Sequence, residues 1–466
     1  MNGLLKGLEV TVLPFSELEN LLTIGAEYYG RAYVSDQLRL QSGPLPLATL
    51  GELCTLITDG DHGVADYQDH GVPFILSENV KEGWIDIGSV RHISEAHHQS
   101  LARSKIRSGD VLVTKTGLYF GKSAVVDEQL GEANTIAHVG ILRIAAGHDP
   151  YVLSTFLNCR YGQTQLRRRG IKATRPEIKL VEFQNIQAPL VSPQFAQSLR
   201  ATIQKSKAIR REVENAVLTA SNTLLAALDL AGWTPPDPLT YTATLSNYAT
   251  EGRLDAQFHR PKFVELFRLH AARFELFRLG GVVLKGRTVP YVDDGEVPII
   301  RSGDLSDIDD DERFLRAAST EPIFYLHKGD ILISSIGFGS IGKVQVFDKA
   351  GKFGTVSEVT VVRQSTLNPY YLATYLRSAF GQMQIDRYIT GATGQLHLNP
   401  KDVEKFFIPV IPTADQLAFE HLSQEIVQTK ARASALLAAA RHAVEIAIED
   451  NEAAAIAYLI QAEEAT

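Results

Sequence analysis

The sequence predicts an α+β protein in which two pseudo-symmetric mixed α/β units are connected by long antiparallel coiled-coil helices. Three observations support this prediction. The 466 residues, 45% of them hydrophobic, are enough for about three cores at roughly 150 residues per domain. The two halves of the chain repeat each other, and each repeated unit is followed by a long run of heptad-spaced apolar and small residues.

The repeat is an internal duplication with a shift of about 220 to 230 positions. Its identities fall on Gly, Pro and apolar positions, which fix turns and cores, whereas the polar residues between them differ. We therefore expect one scaffold that carries two different surfaces. The clearest matching segments are Val72–Ile75 with Val297–Ile300, Ser108–Val113 with Lys328–Ile333, Asp149–Tyr151 with Asn368–Tyr370, Tyr161–Gln163 with Phe380–Gln382, and Ala188–Leu190 with Ile408–Val410.

Each unit is predicted to form a sheet followed by a packed helix. Gly109-Asp110 and Gly329-Asp330 are turn signals, and the β-branched runs that follow them indicate strands. Beyond Pro150 and Pro369 the apolar spacing becomes helical. The predicted strands are Val111–Val113, Ala124–Val126, Ile331–Ile333 and Val344–Val346.

A long helix is predicted after each unit, beginning near Pro193 and near Pro412, with the alternating steps of three and four of a coiled-coil seam. The polar residues Ser206 and Arg210 interrupt the first seam. Each stripe alone also fits an amphipathic helix packed on its own domain, but matching placement after both repeats favours paired helices that act as a spacer. The predicted spacer and partner-docking residues are Leu199, Ile203, Val213, Val217, Ala220, Leu224, Leu422, Ile426, Leu436 and Ala440.

Charge is distributed unevenly along the chain. The formal net charge of −8 disfavours a free-standing DNA-binding protein, because phosphate contacts rely on Lys and Arg. Between Arg160 and Lys179, however, seven Lys and Arg residues stand against the single carboxylate of Glu177. This segment is predicted to be an anion-facing surface, with a solvated charged helix end as the alternative.

The composition predicts a cytoplasmic protein. Cys54 and Cys159 are the only cysteines, and both are predicted to be buried thiols in reducing surroundings. The first residues lack a secretory signal pattern, and no run of eighteen uncharged apolar residues occurs, so no membrane partner is expected.

Three motifs that could suggest catalysis or metal binding are interpreted as structural. Gly337–Lys343 fits a dinucleotide fingerprint and most of a phosphate loop, but neither a hydroxyl residue nor a helix follows it, so a glycine-bearing hairpin is predicted. Asn368–Tyr371 is similar to a methyltransferase Asn-Pro-Pro-Tyr motif without its second Pro, and the matching Asp149-Pro150 indicates a helix entry. His97-His98 lacks spaced companion ligands, so a surface loop is predicted rather than a metal site. We predict no catalytic residue and no metal ligand.

Polar loop residues that differ between the halves are the candidates for reading DNA bases, with Lys and Arg on the phosphates. Thr390–His397 is a glycine-flexed loop whose side chains can donate or accept at base edges. For each candidate an ordinary solvated surface residue is the alternative. The candidate DNA-binding residues are Lys115, Arg167, Arg168, Arg169, Lys172, Thr174 and Arg175 in the first half, and Lys343, Arg387, Thr393, Gln395 and His397 in the second.

The order of these elements resembles the specificity subunits of type I restriction-modification systems. The resemblance covers nearly the whole chain and rests on a Gly-Asp-Ile-Leu strand entry, a Gly-Ala-Thr-Gly-Gln-like loop before an Ile-Pro strand, and a long helix. Segments Ala26–Tyr29 and Arg253–Ala256 resemble lead-in sequences of this family and of related fused type II enzymes, which leaves the type of system open.

The resemblance implies two target-recognition domains, each for one half of a bipartite DNA site. The implied domain ranges are 1–190 for the first domain with its lead-in, 191–232 for the central helix and linker, 233–411 for the second domain, and 412–466 for the C-terminal helix.

Partners and cofactors are also implied by the resemblance. Double-stranded DNA and two DNA adenine methyltransferase subunits are the expected partners, and a restriction or translocase subunit is a further one in a complete system. S-adenosylmethionine, ATP and Mg are expected on those subunits and not on this chain, which would direct methylation without being an enzyme. Three alternatives stay open: a specificity subunit of a related type II system, a duplicated protein-binding scaffold, and an atypical methyltransferase or nuclease.

Overall fold

The computed structural model describes residues 10–15, 18, 25–117, 119–170, 176–246, 252–306, 308, 314–337, 339–364, 366–391 and 396–466. The chain divides into two compact units: unit 1 comprises Met1–Arg211 with Arg432–Thr466, and unit 2 comprises Glu212–Ala431. These are packing units, so the domain ranges implied by the resemblance stay a prediction. No helix in the described ranges is both long and apolar enough to span a membrane.

Unit 1 is built on two four-stranded sheets, with the orders β2-β9-β6-β7 and β3-β5-β4-β8, and on the pair β1-β10. Its strands are β1 (Leu47–Thr49), β2 (Cys54–Asp59), β3 (Tyr67–Gln68), β4 (Val72–Ile75), β5 (Arg91–Ile93), β6 (Val111–Thr114), β7 (Ser123–Val125), β8 (Asn134–Thr135), β9 (Val139–Ile144) and β10 (Gln187–Pro189). Strand β6 is buried along its whole length. Because side chains alternate along a strand, Val111 and Val113 pack into one apolar core and Leu112 into another.

Unit 2 repeats this arrangement with the sheets β12-β18-β15-β16 and β14-β13-β17 and the pair β11-β19. Its strands are β11 (Leu276–Arg278), β12 (Val283–Lys285), β13 (Val297–Ile300), β14 (Leu315–Ala317), β15 (Ile331–Ser334), β16 (Val344–Val346), β17 (Gly354–Thr355), β18 (Val359–Val362) and β19 (Phe407–Pro409). Ile331 and Ile333 pack on one side of β15 and Leu332 on the other. The predicted duplication and mixed α/β units are therefore confirmed.

Several helices of unit 1 recur in the same order in unit 2. They are α1 (Arg31–Ser42), α2 (Leu50–Leu53), α3 (Glu95–Ser100), α4 (Pro150–Asn158), α5 (Arg160–Arg169), α6 (Leu180–Phe183), α7 (Pro193–Ala227), α8 (Pro261–Arg273), α9 (Pro369–Arg377), α10 (Ala379–Tyr388), α11 (Pro400–Val403), α12 (Thr413–Glu449) and α13 (Glu452–Glu464). Asp149 caps α4 and Asn368 caps α9, and in both helices Pro occupies the first turn. The helix-entry interpretation of the Asn-Pro motif is thus confirmed.

Helices α7 and α12 run antiparallel where both belong to unit 1. The Ser206 hydroxyl donates to the carbonyl of Ala433 over 2.7 Å, and the Ser192 amide, just before α7, donates to Glu452, just beyond α12, over 2.6 Å. Leu199 is fully buried between these elements. The long helices predicted by the heptad spacing are therefore present.

The seam differs from its prediction at three positions of α7. Ser206 is fully buried and bonded, and the Arg210 guanidinium lies 4.3 Å from the centre of the Trp84 ring. Both polar residues therefore take part in packing contacts at the seam. Val217, in contrast, is 52% exposed. The turn that carries Val217 faces solvent, and partner docking by this residue stays a prediction.

Two pairs of buried contacts explain why certain polar residues match in the duplication. Asp110 accepts two hydrogen bonds from Arg143, at 2.8 and 2.7 Å, and Asp330 accepts two from Arg363 at the same distances. In unit 1 the carboxylate ties the start of β6 to the end of β9. In unit 2 it ties the start of β15 to the residue that follows β18. The Gly-Asp turns are thus structural elements of each sheet.

Both cysteines are free thiols, and burial raises the pKa of each to about 12. Cys159 is buried as predicted, whereas Cys54 at the start of β2 is only half-buried.

Candidate functional site

The glycine-lysine segments connect the strands of two hairpins. Strand β6 pairs antiparallel with β7 across Gly121, and β15 pairs antiparallel with β16 across Gly342. Both glycines have positive φ, 87° and 83°, and each receives a side-chain amide hydrogen bond on its carbonyl, from Gln163 at 2.8 Å or Gln382 at 3.0 Å. The hairpin interpretation is confirmed. Next to Gly342, the Lys343 amine donates to Ser306 over 2.6 Å.

One end of the four-stranded sheet gathers three polar segments in each unit. Strands β2 and β6 finish at this end, where β9 begins, because both pair antiparallel with β9. In unit 2, β12 and β15 finish at the equivalent end, where β18 begins, because both pair antiparallel with β18. We call this the variable end; it comprises residues 59–66, 115–117 and 176–178 in unit 1, and 285–292, 335–337 and 396–398 in unit 2.

The loop after the first of these strands is anchored in the same way in both units. The amide of Asp61 donates to the carbonyl of Thr135 over 2.7 Å, and the amide of Arg287 donates to that of Thr355 over 3.0 Å. The residue before each must be glycine, since a Cβ there would overlap a carbonyl of the facing segment. These loops were missed in the sequence, although Gly60 and Gly286 match within one residue of the offset of Val72–Ile75 and Val297–Ile300.

The third segment is also held by equivalent backbone bonds. Ile178 donates to Lys115 and Leu398 to Ser335, both over 2.9 Å. The equivalent positions nevertheless carry different side chains. These pairs are Asp59 and Lys285, Asp61 and Arg287, Lys115 and Ser335, His138 and Glu358, and Glu177 and His397.

Carboxylates and cations form a network at the variable end of unit 1. The Lys115 amine lies 3.1 Å from Asp59 and 3.9 Å from Glu177, and its side chain is 8% exposed. Burial raises the pKa of Asp59, but hydrogen bonds from His62 and Lys115 outweigh burial and leave that pKa below its ordinary value. Lys115 therefore connects two segments of unit 1, and a phosphate could reach it only with difficulty.

Hydroxyl groups occupy the corresponding end of unit 2. The Thr288 and Ser357 hydroxyls lie 2.7 Å apart, and Ser335 bonds to Thr360 over 2.5 Å. His397 exchanges two backbone hydrogen bonds with Thr390, at 2.9 and 2.8 Å, which ties the third segment of this end to Thr390.

Two predicted DNA-binding arginines occupy equivalent structural positions. Arg168 donates to the carbonyl of Tyr28 over 2.9 Å and lies 4.3 Å from the Tyr28 ring centre. Arg387 donates to the carbonyl of Phe258 over 3.2 Å and lies 4.3 Å from that ring centre. Each arginine thus holds the 3-10 turn of its lead-in segment against its unit.

The remaining candidates lie in different surroundings. Arg169 is 3.5 Å from Glu182 with a 7% exposed side chain, whereas Arg167 is exposed. Among the described basic residues of the predicted anion-facing segment, Arg160, Arg167 and Lys179 are exposed, and Arg160 is paired with Asp36. Five candidates fall outside the described residues, namely Lys172, Thr174, Arg175, Thr393 and Gln395. DNA binding by the candidate residues stays a prediction.

The surface-loop prediction for His97-His98 is wrong. Both residues lie on α3, because Ser94 accepts a hydrogen bond from the His97 amide and caps the helix. His98 is fully buried and lies 3.1 Å from Glu132, while His97 lies 3.1 Å from Asp61. Among the described residues, no group of three or more His, Cys, Asp or Glu side chains is arranged to hold a metal ion.

The comparison with protein families defines the class of this fold. Residues 272–429, which include the variable end of unit 2, match the family model of the type I restriction modification DNA specificity domain. This part of the chain is therefore similar to such a DNA specificity domain, and the resemblance predicted from the sequence is confirmed.

Individual relatives agree with this class. The type I restriction enzyme EcoBI specificity subunit of Escherichia coli is 24% identical over 159 residues, which span 33% of this chain and 33% of that subunit. The crystal structure of a type I restriction-modification S subunit from M. genitalium covers 88% of this chain and 96% of its own, at 12% identity and a TM-score of 0.40. The crystal structure of the HsdS subunit from Thermoanaerobacter tengcongensis covers 87% of this chain and 97% of its own, at 16% identity and a TM-score of 0.31. At these scores the structural likeness adds nothing to the strand pairing described above.

Proposed function

We propose that the chain is the specificity subunit of a restriction-modification system. It binds a bipartite DNA target, one half-site per unit, and directs a partner DNA adenine methyltransferase and a restriction subunit to that target. Catalysis, S-adenosylmethionine, ATP and Mg belong to the partner subunits.

One observation supports two different half-sites. The variable ends of the two units share their backbone hydrogen bonds but carry different side chains at equivalent positions, for example Asp61 in unit 1 and Arg287 in unit 2. DNA sequence is read by side chains on base edges, whereas backbone anchoring fixes where those side chains are presented. Two copies of one scaffold with different side chains suit two different short sequences.

The proposal is tested by methylation with and without the partner. We expect the purified chain to show no DNA methylation, cleavage or ATP hydrolysis, because its role is binding. Together with its adenine methyltransferase partner it should give methylation at one defined bipartite sequence, measured by sequencing modified bases in treated genomic DNA.

The partner without this chain is the control and should leave that site unmodified. Methylation by the chain alone would establish the atypical methyltransferase instead. Complexes that bind all DNA sequences equally would favour the protein-binding scaffold.

A further inference from the structure

We propose that Arg287 is a base-reading residue that recognises guanine in the half-site of unit 2. We also propose that this position, which Arg287 occupies in unit 2 and Asp61 in unit 1, determines which base each unit recognises. The inference rests on the proposed function and adds a residue and a base to it.

The backbone on which Arg287 stands is fixed. The amide of Gly286 donates to Val359 over 3.2 Å, and the Arg287 amide donates to Thr355 over 3.0 Å. The next residue, Thr288, shares a 2.7 Å hydrogen bond with Ser357. Three successive residues are thus bonded to one facing segment, so the Cα of Arg287 has little freedom.

The Arg287 side chain, in contrast, is exposed, and within the described ranges its guanidinium forms no hydrogen bond or ion pair. Neighbouring arginines of unit 2 are engaged by the protein itself. Arg301 bonds to Asp304 at 3.0 Å through two nitrogens, and Arg316 donates to the carbonyl of Gly295 over 2.6 Å. Arg287 is therefore available to a ligand, whereas these neighbours stabilise loops.

The chemistry of the position favours a base over a phosphate. A guanidinium presents two parallel donors that match the O6 and N7 acceptors of guanine in the major groove. The carboxylate of Glu358 lies 3.4 Å from the hydroxyl of Thr288, which belongs to the variable end, and a phosphate placed there would be repelled by this carboxylate. A base edge carries no net charge, so the carboxylate repels it much less than a phosphate.

The equivalent position of unit 1 excludes the same contact. Asp61 lies 3.1 Å from His97 and accepts a 2.8 Å hydrogen bond from the amide of Gly63, so its carboxylate is held in place. An ionised carboxylate only accepts hydrogen bonds, and guanine O6 and N7 also only accept them, so no hydrogen bond can form between the two groups. Unit 1 therefore cannot read guanine in the way that Arg287 does.

The test uses the complex of the full chain with its adenine methyltransferase partner and selects bound sequences from a randomised DNA pool. We expect Arg287→Ala to lower the preference for guanine at one position of one half-site by about 5- to 150-fold, the range of one bidentate base contact. Arg287→Gln should move the preference at that position towards adenine, because Gln pairs with adenine N6 and N7. The other half-site should keep its sequence.

Arg268→Ala is the matched control, since Arg268 is a 68% exposed arginine of unit 2 on α8. It should leave the selected sequence unchanged. Equal loss of affinity on all sequences with Arg287→Ala, together with a smaller salt dependence, would assign Arg287 to a phosphate and overturn the inference. An unchanged selection would overturn it as well. If the unmodified complex selects no sequence at all, the proposed function fails.

Discussion

At the scale of single residues, matched polar positions such as Asp110 and Asp330 are structural, whereas equivalent positions at the variable ends carry different side chains. Asp330 illustrates the first kind. It is 1% exposed, accepts two bonds from Arg363 and accepts a 2.8 Å bond from the His327 amide. Removing this carboxylate leaves a guanidinium and an amide without their acceptor.

We expect Asp330→Ala to lower the free energy of unfolding of unit 2 by about 2 to 4 kcal/mol, less than for a fully buried pair because Arg363 is 32% exposed. The two tryptophans of the chain lie in different units, so a Trp84→Phe background leaves Trp233 as the reporter of unit 2. Denaturant unfolding followed by Trp233 fluorescence gives the measurement. The exposed Asp294→Ala is the control, and equal effects of both variants would contradict the buried role.

His270 predicts how the stability of unit 2 depends on pH. It is 1% exposed, its Nδ1 donates to the carbonyl of Leu266 over 2.8 Å, and its Nε2 has no hydrogen-bond partner in the described part of the chain. Burial lowers the pKa of this imidazole below its ordinary value of 6.5. The folded protein therefore keeps it neutral.

The unfolded chain takes up this proton at about pH 6.5. Below that pH it binds more protons than the folded state, so the free energy of unfolding should fall as pH decreases towards 5, by at most about 1.4 kcal/mol per pH unit. Above about pH 7 the residue adds no dependence. His270→Leu should reduce the dependence of the free energy of unfolding on pH in this range. Substitution of the exposed His421 by Gln should leave that dependence unchanged. An unchanged slope in His270→Leu would show that another group dominates.

At the scale of elements, local signals predicted one hairpin in each unit and the main helices that follow it. Turn glycines and β-branched runs located β6, β7, β15 and β16, and proline with heptad spacing located the long helices. Short strands such as β3 and β8, with two residues each, were not predicted because only pairing with distant strands defines them. Helix α3 was missed although Ser94 is an N-cap residue type.

Charge patterns do not reveal the surroundings of the candidate residues, whereas spacing located several elements. Lys115 and Arg168 were assigned to DNA because they are basic, but Lys115 pairs with Asp59 and Arg168 bonds to Tyr28, 140 residues away. Such partners are set by tertiary packing and leave no local signal. The paired glycines Gly60 and Gly286 did leave one, because a close backbone approach demands glycine at the same place in both units.

At the scale of the whole molecule, α7 belongs to both units, with residues 193–211 in unit 1 and 212–227 in unit 2. If each unit reads one half-site, as proposed, a continuous helix that joins the units would set the distance between the half-sites. Inserting four residues after Ala220 lengthens it by roughly 6 Å at about 1.5 Å per residue and keeps the apolar face nearly in phase. Since one DNA step is about 3.4 Å, we expect the unspecified spacer to grow by one or two base pairs.

Methylome sequencing of cells with the insertion gives the answer, and both half-sites should remain as they were. Four residues inserted between Pro236 and Asp237, which lie in an exposed linker, are the control and should leave the spacer unchanged. An active insertion mutant with the original spacer would show that α7 does not set the distance.

The discontinuity of unit 1 has a consequence for folding during synthesis. Unit 2 is one uninterrupted stretch of chain, whereas the core of unit 1 needs Ala440, Val444 and Ala447 of α12 packed with Leu199 and Ile203 of α7. Contacts across so long a separation form only after the ribosome has made both partners, and their closure is slow. Unit 2 can therefore be complete while unit 1 still exposes an apolar helix face. The unit whose synthesis begins first is the one whose core closes last, and it is the one that a chaperone would have to protect.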